Sequence, residues 1–412
     1  MALVVEKFGG TSVAGPERIR VVADHVARRR SAGDAVVLVV SAMGSETDEL
    51  LRMASDVASA PPGRELDMLI TGGERKACAL MAMAINDLGV PAASFTGSQA
   101  GFHTDSSHTA AKIVEITPKR VTEALADGLV PVVGGSQGVS VSGDVTFFGR
   151  GGSDTTAVAL AHALGADQCE IFTDVPGVFS ADPRVVAQAR RMDAVSFDEL
   201  LEMTASGCPK PAMRAVELAR TYGVELHVRS AFSWMPGTTV TGAKAMERAV
   251  ISAVTHNTGE AKMTVSGVAD KPGVAARLFR ALADSDVNVD MIVQNVSVQG
   301  ITDISFTVPR SQVEASRAVA EGLVAELGVN AVAADDDIAR VSLIGAGMQT
   351  NPGVAARMFE TLADEGINIE MISTSAIRIS CVVRAADAER AVAALHRSFE
   401  LDVAPAQRPI GY

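Results

Sequence analysis

The strongest constraint on what this chain can fold into is that it repeats itself. Residues 271–292 return as residues 350–372, with Pro272 answering Pro352 and Met291 answering Met371 in one register. Self-similarity this close means two copies of one fold unit. Each copy reads as a strand, a Pro-Gly turn, a helix and a second strand (287–292; 367–372), followed by hairpin strands at 302–308 and 377–383. That is a βαββ-type α+β module of about 70 residues, within the usual size range of a domain. Paired modules of this kind bind a small ligand at a shared interface or hold two copies of a chain together.

The residues before about 245 keep a different rhythm. Apolar, β-branched runs at 36–40, 130–133, 169–173 and 225–228 read as buried strands. Between them, helices are predicted over 16–31, 74–88, 118–126 and 153–164, each ending close to Gly33, Gly89, Gly128 or Gly165. Strand and helix in alternation give an α/β unit, a mostly parallel sheet sandwiched by helices, with ligands expected at the carboxyl ends of the strands. A chain of 412 residues exceeds one ordinary domain. The expected division is 1–245 for the α/β unit, 246–262 for a linker and first strand, and 263–335 and 336–412 for the modules.

A net charge of −13 argues against a general nucleic-acid or anionic-membrane surface, though not against a local basic pocket. No signal peptide and no membrane-length apolar span is read, so a cytoplasmic protein is expected. Cys78, Cys169, Cys208 and Cys381 form no CxxC pair, and buried thiols are expected rather than a zinc site or disulfides.

The segment Lys7-Phe8-Gly9-Gly10-Thr11-Ser12 follows an apolar run and precedes a predicted helix. A glycine loop at a strand's end lets backbone N–H groups approach an anion, and the helix start adds a favourable field. Lys7 adds a full charge. Alone, such a loop is as often only a turn.

Its company narrows the choice. In order along the chain stand Ser41-Ala-Met-Gly44, Gly73-Glu74-Arg75, Phe95-Thr-Gly-Ser-Gln-Ala-Gly101, Gly149-Arg-Gly-Gly-Ser-Asp-Thr-Thr156, Thr173-Asp174 and Ala181-Asp-Pro-Arg184. Asp270-Lys-Pro-Gly273, Gln294-Asn-Val-Ser297 and Ser373-Thr-Ser375 follow. Over nearly its whole length the sequence resembles the aspartate kinases, amino-acid kinases with paired ACT regulatory modules of ferredoxin-like form.

The resemblance implies transfer of the ATP γ-phosphoryl group to the β-carboxylate of L-aspartate, giving 4-phospho-L-aspartate and ADP, at the head of lysine, threonine and methionine synthesis. It implies Lys7, Gly10 and Asp154 as catalytic, and Lys7, Phe8, Gly9, Gly10, Thr173, Asp174, Phe179, Asp182, Arg184 and Lys210 on the nucleotide. Ser41, Thr47, Glu74, Arg150, Gly151, Gly152 and Ser153 would hold aspartate, with Arg150 able to grip a carboxylate through two parallel N–H bonds. Mg²⁺ would ride mainly on the ATP phosphates, with no dedicated protein ligand set. Asp270, Gln294, Asn295 and Ser297 would receive lysine or threonine as effector. The modules would pair chains into a homodimer or, with Met246 starting a separate subunit, an α2β2 assembly. A plainer role stands beside each of three residues: Ser153 and Asp154 as N-cap and first-turn acid, and Glu74 as an acid at a helix start.

Departures from the family pattern are concentrated in a few places. Gly207-Cys208-Pro209-Lys210-Pro211 puts the nucleotide lysine one position late between two prolines, which fix the backbone and donate no N–H. Phe179 replaces a tyrosine, and Pro176 and Ser136 are also unusual. Ala376 stands where a glutamate is common and the 298–301 hairpin is short, which predicts weakened or altered feedback. Two other functions fit the same residues: an ACT-bearing regulatory paralogue without turnover, and a kinase of another carboxylate or a carbamate.

Overall fold

In the stretch Ala35–Val40 every residue from Val36 onward is fully buried, as expected of a strand with helices on both faces. The computed structural model describes residues 2–242, 250–294, 300–346, 348 and 353–403. They form two compact units: the first comprises Met1–Val178, Arg191–Thr204 and Pro209–Lys244, the second Phe179–Arg190, Ala205–Cys208 and Ala245–Tyr412. Among the described residues no helix is long and apolar enough to cross a membrane.

The first unit runs β1 (Leu3–Phe8), α1 (Pro16–Ser31), β2 (Ala35–Val40), α2 (Glu46–Val57), α3 (Gly63–Asp87), β3 (Ala92–Phe95), β4 (Phe102–Thr104), β5 (Ile113–Ile116), α4 (Lys119–Ala126), β6 (Val130–Gly134), β7 (Gln137–Ser140), β8 (Val145–Phe147), α5 (Gly152–Leu164), β9 (Gln168–Thr173), β10 (Ala194–Ser196), α6 (Phe197–Ala205), α7 (Met213–Tyr222), β11 (Leu226–Ser230) and β12 (Thr238–Thr241). Eight strands make one sheet in the order β10-β12-β11-β9-β1-β2-β6-β3, parallel except between β11 and β12. A smaller sheet, β5-β4-β7-β8, stands beside it. Helices α1 and α3 pack on one face of the large sheet, and α5 packs on β1, β2 and β9.

The predicted strands and all four predicted helices are present, three of the helices close to their predicted bounds. The exception is α3, which begins at Gly63 rather than near Glu74. Gly72 and Gly73 read as a break, yet the helix runs through them. A Cβ on Gly73 would lie 2.9 Å from that of Ala42, so this glycine is there for close packing. Glu74 is therefore in mid-helix, not at a start. Beneath β1 and β9, Arg29 bridges the buried carboxylates of Glu6 (2.6 Å) and Glu170 (2.7 Å), and Arg229 reaches Glu170 at 3.0 Å. Buried charge inside a parallel sheet is tolerable only when paired in this way.

The second unit continues with β13 (Val250–Asn257), β14 (Glu260–Ala269), α8 (Val274–Asp284), β15 (Ile292–Gln294), β16 (Ile301–Pro309), α9 (Val313–Gly322), α10 (Val324–Leu327), β17 (Ala331–Asp335), β18 (Ile338–Ala346), α11 (Gly353–Asp364), β19 (Met371–Thr374), β20 (Arg378–Arg384) and α12 (Ala388–Ser398). Its two four-stranded sheets are β15-β16-β14-β17 and β13-β18-β20-β19. The strand β13, expected in a linker ahead of the first module, pairs antiparallel with β18 in the second. The predicted strands 287–292 and 367–372 shrink to β15 and β19. Val287 and Ile367 are used instead as buried plugs behind their helices.

Candidate active site

Strand alternation decides what β1 offers, since Lys7 and Phe8 must point to opposite faces of the sheet. Phe8 is fully buried on the α1 side, its ring stacked on Phe172 at 4.6 Å. It brings its main chain to the site, its carbonyl accepting from the Ser41 N–H at 3.1 Å, while its ring lies on the face opposite Lys7. Lys7 faces α5. Its Nζ lies 2.5 Å from Asp154 Oδ1, with the lysine 3% exposed and the aspartate 0%.

Asp154 also accepts from the Ala212 N–H at 2.9 Å. Burial pushes this carboxyl up, but the charges of Lys7 and Lys210 outweigh that and hold it below its ordinary value. The Lys210 ammonium is lowered, first by burial and next by Lys7, while Asp154 and Asp174 oppose the shift. Two cations therefore lean on one buried acid. The double-proline loop does not remove Lys210 from the site. It lays Ala212 against Gly151, where an added Cβ would come within 2.4 Å of the Ala212 Cβ.

Gly151 caps α5 in the left-handed conformation (φ 74°) with no side-chain cap. Ser153 is thus not the N-cap. Its Oγ instead meets Ser41 Oγ at 2.7 Å, tying the end of β2 to the start of α5. Gly10 admits no side chain, because a Cβ would fall 2.8 Å from the Ala42 carbonyl oxygen and 2.9 Å from that of Gly44. Gly135, after β6, is pressed on Ser153 in the same manner, at 2.6 Å. Gly9 donates to the Phe172 carbonyl at 3.2 Å, and beyond it the Thr173 hydroxyl donates to Asp174 Oδ1 at 2.8 Å.

Glu74 lies 3% exposed on α3. Burial pushes its carboxyl up to about 7, against the help of the Ala42 N–H. One of its oxygens has no hydrogen-bond partner among the described residues, which suits an incoming ammonium. Arg150 contrasts with it: its side chain is 85% exposed and pairs with Asp48 at 2.8 Å. Thr47, half-buried, precedes Asp48 in the first turn of α2. The first unit thus brings together Lys7, Gly9, Gly10, Ser41, Gly151, Gly152, Ser153, Asp154 and Lys210.

Phe179, Asp182 and Arg184 belong to the second unit. There Asp182 accepts from the Arg184 N–H at 2.9 Å and from its guanidinium at 2.7 Å. Ser180 pins the segment, its Oγ 3.0 Å from His396 Nε2 and its carbonyl accepting from the Val254 N–H at 2.8 Å. In the first module Asp270 and Gln294 line a cavity of about 340 Å³ with Lys271, Pro272 and Gly273. Asn295, Ser297, Met246 and residues 298–299 of the 298–301 hairpin lie outside the described residues. Ala376 is exposed.

Sequence reasoning missed Asp48 as the partner of Arg150, Ala212 as that of Asp154, and Gly73 and Gly135 as contact points. The paired glycines 72–73 and 134–135 were the available signal for the last two.

Comparison with known proteins adds the family. Residues 2–230 match the model of the amino acid kinase family, and residues 241–322 and 341–399 match that of the ACT domain. The chain is 53% identical over 407 residues to a protein named aspartokinase from Mycolicibacterium smegmatis, covering 97% of each. It resembles the crystal structure of E. coli aspartokinase III in complex with aspartate and ADP (R-state), at TM-score 0.81 and 25% identity, over 96% of this chain and 99% of that one. The same enzyme in complex with lysine and aspartate (T-state) is similar at TM-score 0.74 and 26% identity, over 96% and 99%.

Proposed function

The chain belongs to the amino acid kinase family, among the aspartokinases, and from that premise we propose how its own residues move the γ-phosphoryl group of ATP to the β-carboxylate of L-aspartate. The acceptor is ionised at neutral pH, so no general base is required. A carboxylate oxygen attacks the γ-phosphorus, the bond to the β,γ-bridging oxygen breaks, and ADP leaves with that electron pair. What remains for the protein is to bring two anions together and to stabilise charge on the transferring oxygens.

The observation that carries this reading is the buried pair Lys7–Asp154 with Lys210 beside it. Asp154 holds Lys7 in place, and the two ammonium groups face the phosphates. Gly9 and Gly10 bring backbone close, a Cβ on Gly9 falling 3.6 Å from Lys7 Nζ. Thr173 and Asp174 stand at the adjoining strand end. Mg²⁺, carried on the ATP phosphates, would neutralise part of their charge. On the other side Arg150 takes the α-carboxylate of aspartate, Glu74 its ammonium, and Ser41, Thr47, Gly151, Gly152 and Ser153 complete the cradle.

The cavity at Asp270 and Gln294 receives lysine or threonine, and the coupling to turnover has a typical size of about 1–3 kcal/mol. We place the enzyme in the cytoplasm, paired through its modules as a homodimer or an α2β2 assembly. With Ala376 in place of an acid, feedback is weaker than the family's usual response. Full inhibition by lysine plus threonine at low concentration would sink that last point.

Hydroxylamine trapping of the acyl phosphate formed from L-aspartate and Mg-ATP tests the whole. Trapped product that Lys7→Ala abolishes supports it. No product with aspartate, or product from another carboxylate alone, overturns it.

A further inference from the structure

A cluster outside the catalytic residues bears on how Arg150 is held. Asp67 lies on α3 two turns before Glu74 and is fully buried. Its Oδ2 is 2.7 Å from His108 Nδ1, and its Oδ1 accepts from the Thr109 N–H at 2.9 Å. A carboxylate only accepts, so the imidazole is the donor.

Thr109 has φ 68°. A β-branched residue in the left-handed region is an outlier that persists only where its surroundings over-determine it. Asp67 supplies that constraint from α3. The loop is further closed by Asp105, whose Oδ1 accepts from the N–H groups of Ser107 (3.2 Å) and Lys112 (3.0 Å).

The strained residue abuts the substrate loop. A Cβ built on Gly149 (φ 84°) would sit 3.3 Å from the Thr109 carbonyl oxygen, so that carbonyl rests against the residue immediately before Arg150. The two loops are tied twice more. The Ala111 N–H donates to the Phe147 carbonyl at 2.9 Å, and Arg214 donates to the carbonyls of Ala111 (3.0 Å) and Phe148 (3.2 Å). A rigid wall thus runs from α3 through Thr109 to the base of an arginine whose own side chain is in solvent.

We propose that Asp67 and His108 are positioning residues for aspartate: they lock Thr109 in its strained conformation and thereby fix the Gly149–Arg150 backbone from which the guanidinium reaches the substrate. This rests on the assignment of Arg150 to the α-carboxylate. Misplacement of a positioning group by about 1 Å can cost on the order of a hundredfold in rate. Here the loss falls on the aspartate side alone.

The test is steady-state hydroxylamine trapping with the full chain, varying aspartate and Mg-ATP separately, alongside thermal unfolding. His108→Ala is expected to raise KM for aspartate roughly tenfold with KM for ATP unchanged. His108→Asn, whose amide nitrogen takes the place of Nδ1, is expected to restore most of it and serves as the second variant if His108→Ala does not fold. On an Arg150→Ala background His108→Ala should add nothing to KM for aspartate. An undiminished effect on that background overturns the proposal while leaving the Arg150 assignment standing. So does a fall in melting temperature with both KM values unmoved. An Arg150→Ala protein with normal KM for aspartate overturns the assignment and this proposal with it.

Discussion

The two sides of the active site differ in how much of their geometry exists before substrate arrives. On the proposed phosphate side Lys7 and Asp154 are buried against each other, and Gly10 leaves no space to spare. On the proposed aspartate side Arg150 is exposed and Glu74 is buried with an oxygen unmatched among the described residues. The difference follows from charge. A polyanion needs a fixed field, and preorganised cations cost no reorganisation as charge develops. A small zwitterion can complete an unfinished site by supplying the counter-charge that Glu74 lacks and by replacing Asp48 on Arg150.

The largest effect should come from breaking the fixed side. Asp154→Ala leaves Lys7 buried without its acid, at a cost of about 3–5 kcal/mol in unfolding free energy. Chemical denaturation measures it, and an unchanged midpoint would erase the contrast. Because the folded pKa of Asp154 is depressed, the stability it contributes is present above its unfolded value and lost as pH falls through the folded one. Acid unfolding of the wild type should therefore sharpen below about pH 4.

Next comes Lys7→Ala, expected to lower kcat by about 10²–10³ while KM for aspartate holds. Arg150→Ala should do the reverse. It raises KM for aspartate roughly thirtyfold, as loss of a charge-assisted carboxylate contact of about 2 kcal/mol would, and leaves KM for ATP alone. A loss in both KM values would mean that the two sides are not separable.

Glu74 gives a signal in stability with a definite sign. The unfolded chain releases this proton near 4.5 and the folded chain near about 7. Between those values the folded state holds the extra proton, so stability falls as pH rises across that window, by at most about 3 kcal/mol. Glu74→Gln should flatten this profile in a melting series from pH 4 to 8. If the ionised form binds the ammonium, KM for aspartate in the wild type falls over the upper part of the same range. The smallest expected effect is that of Asp270→Ala, which should raise the half-inhibitory lysine concentration about tenfold without moving either substrate's KM.

Much of this was legible in the sequence, for physical reasons that can be named. Residues 36–40 read as an inner strand because a strand covered on both faces needs no polar alternation. The glycine loop and the Arg150–Asp154 block were visible because their backbone demands and charges are local. What stayed hidden depended on contacts made far along the chain. Gly73 looked like a helix break because its reason, Ala42, lies thirty-one residues away. Asp154 was legible as a catalytic candidate and as a first-turn acid, but its partners, Lys7 and Ala212, were not. Phe8 was legible as part of the glycine loop, but the turn of its ring to the other face, onto Phe172, was not. The membership of β13 in the second sheet was not readable at all, since nothing in residues 250–257 says which of two similar modules they will join.

That last pairing makes the first module, in connectivity, the turn of a hairpin. Asn257 and Arg340 stand opposite each other on β13 and β18, and everything between them is the loop. Were residues 258–337 unfolded, closing a loop of that length instead of a two-residue turn would cost about five doublings, or about 3 kcal/mol. Folding of the first module removes that cost by bringing its own ends together. The second module therefore inherits stability from a neighbour it surrounds in sequence, and a two-residue turn replacing 258–337 would free it from that dependence.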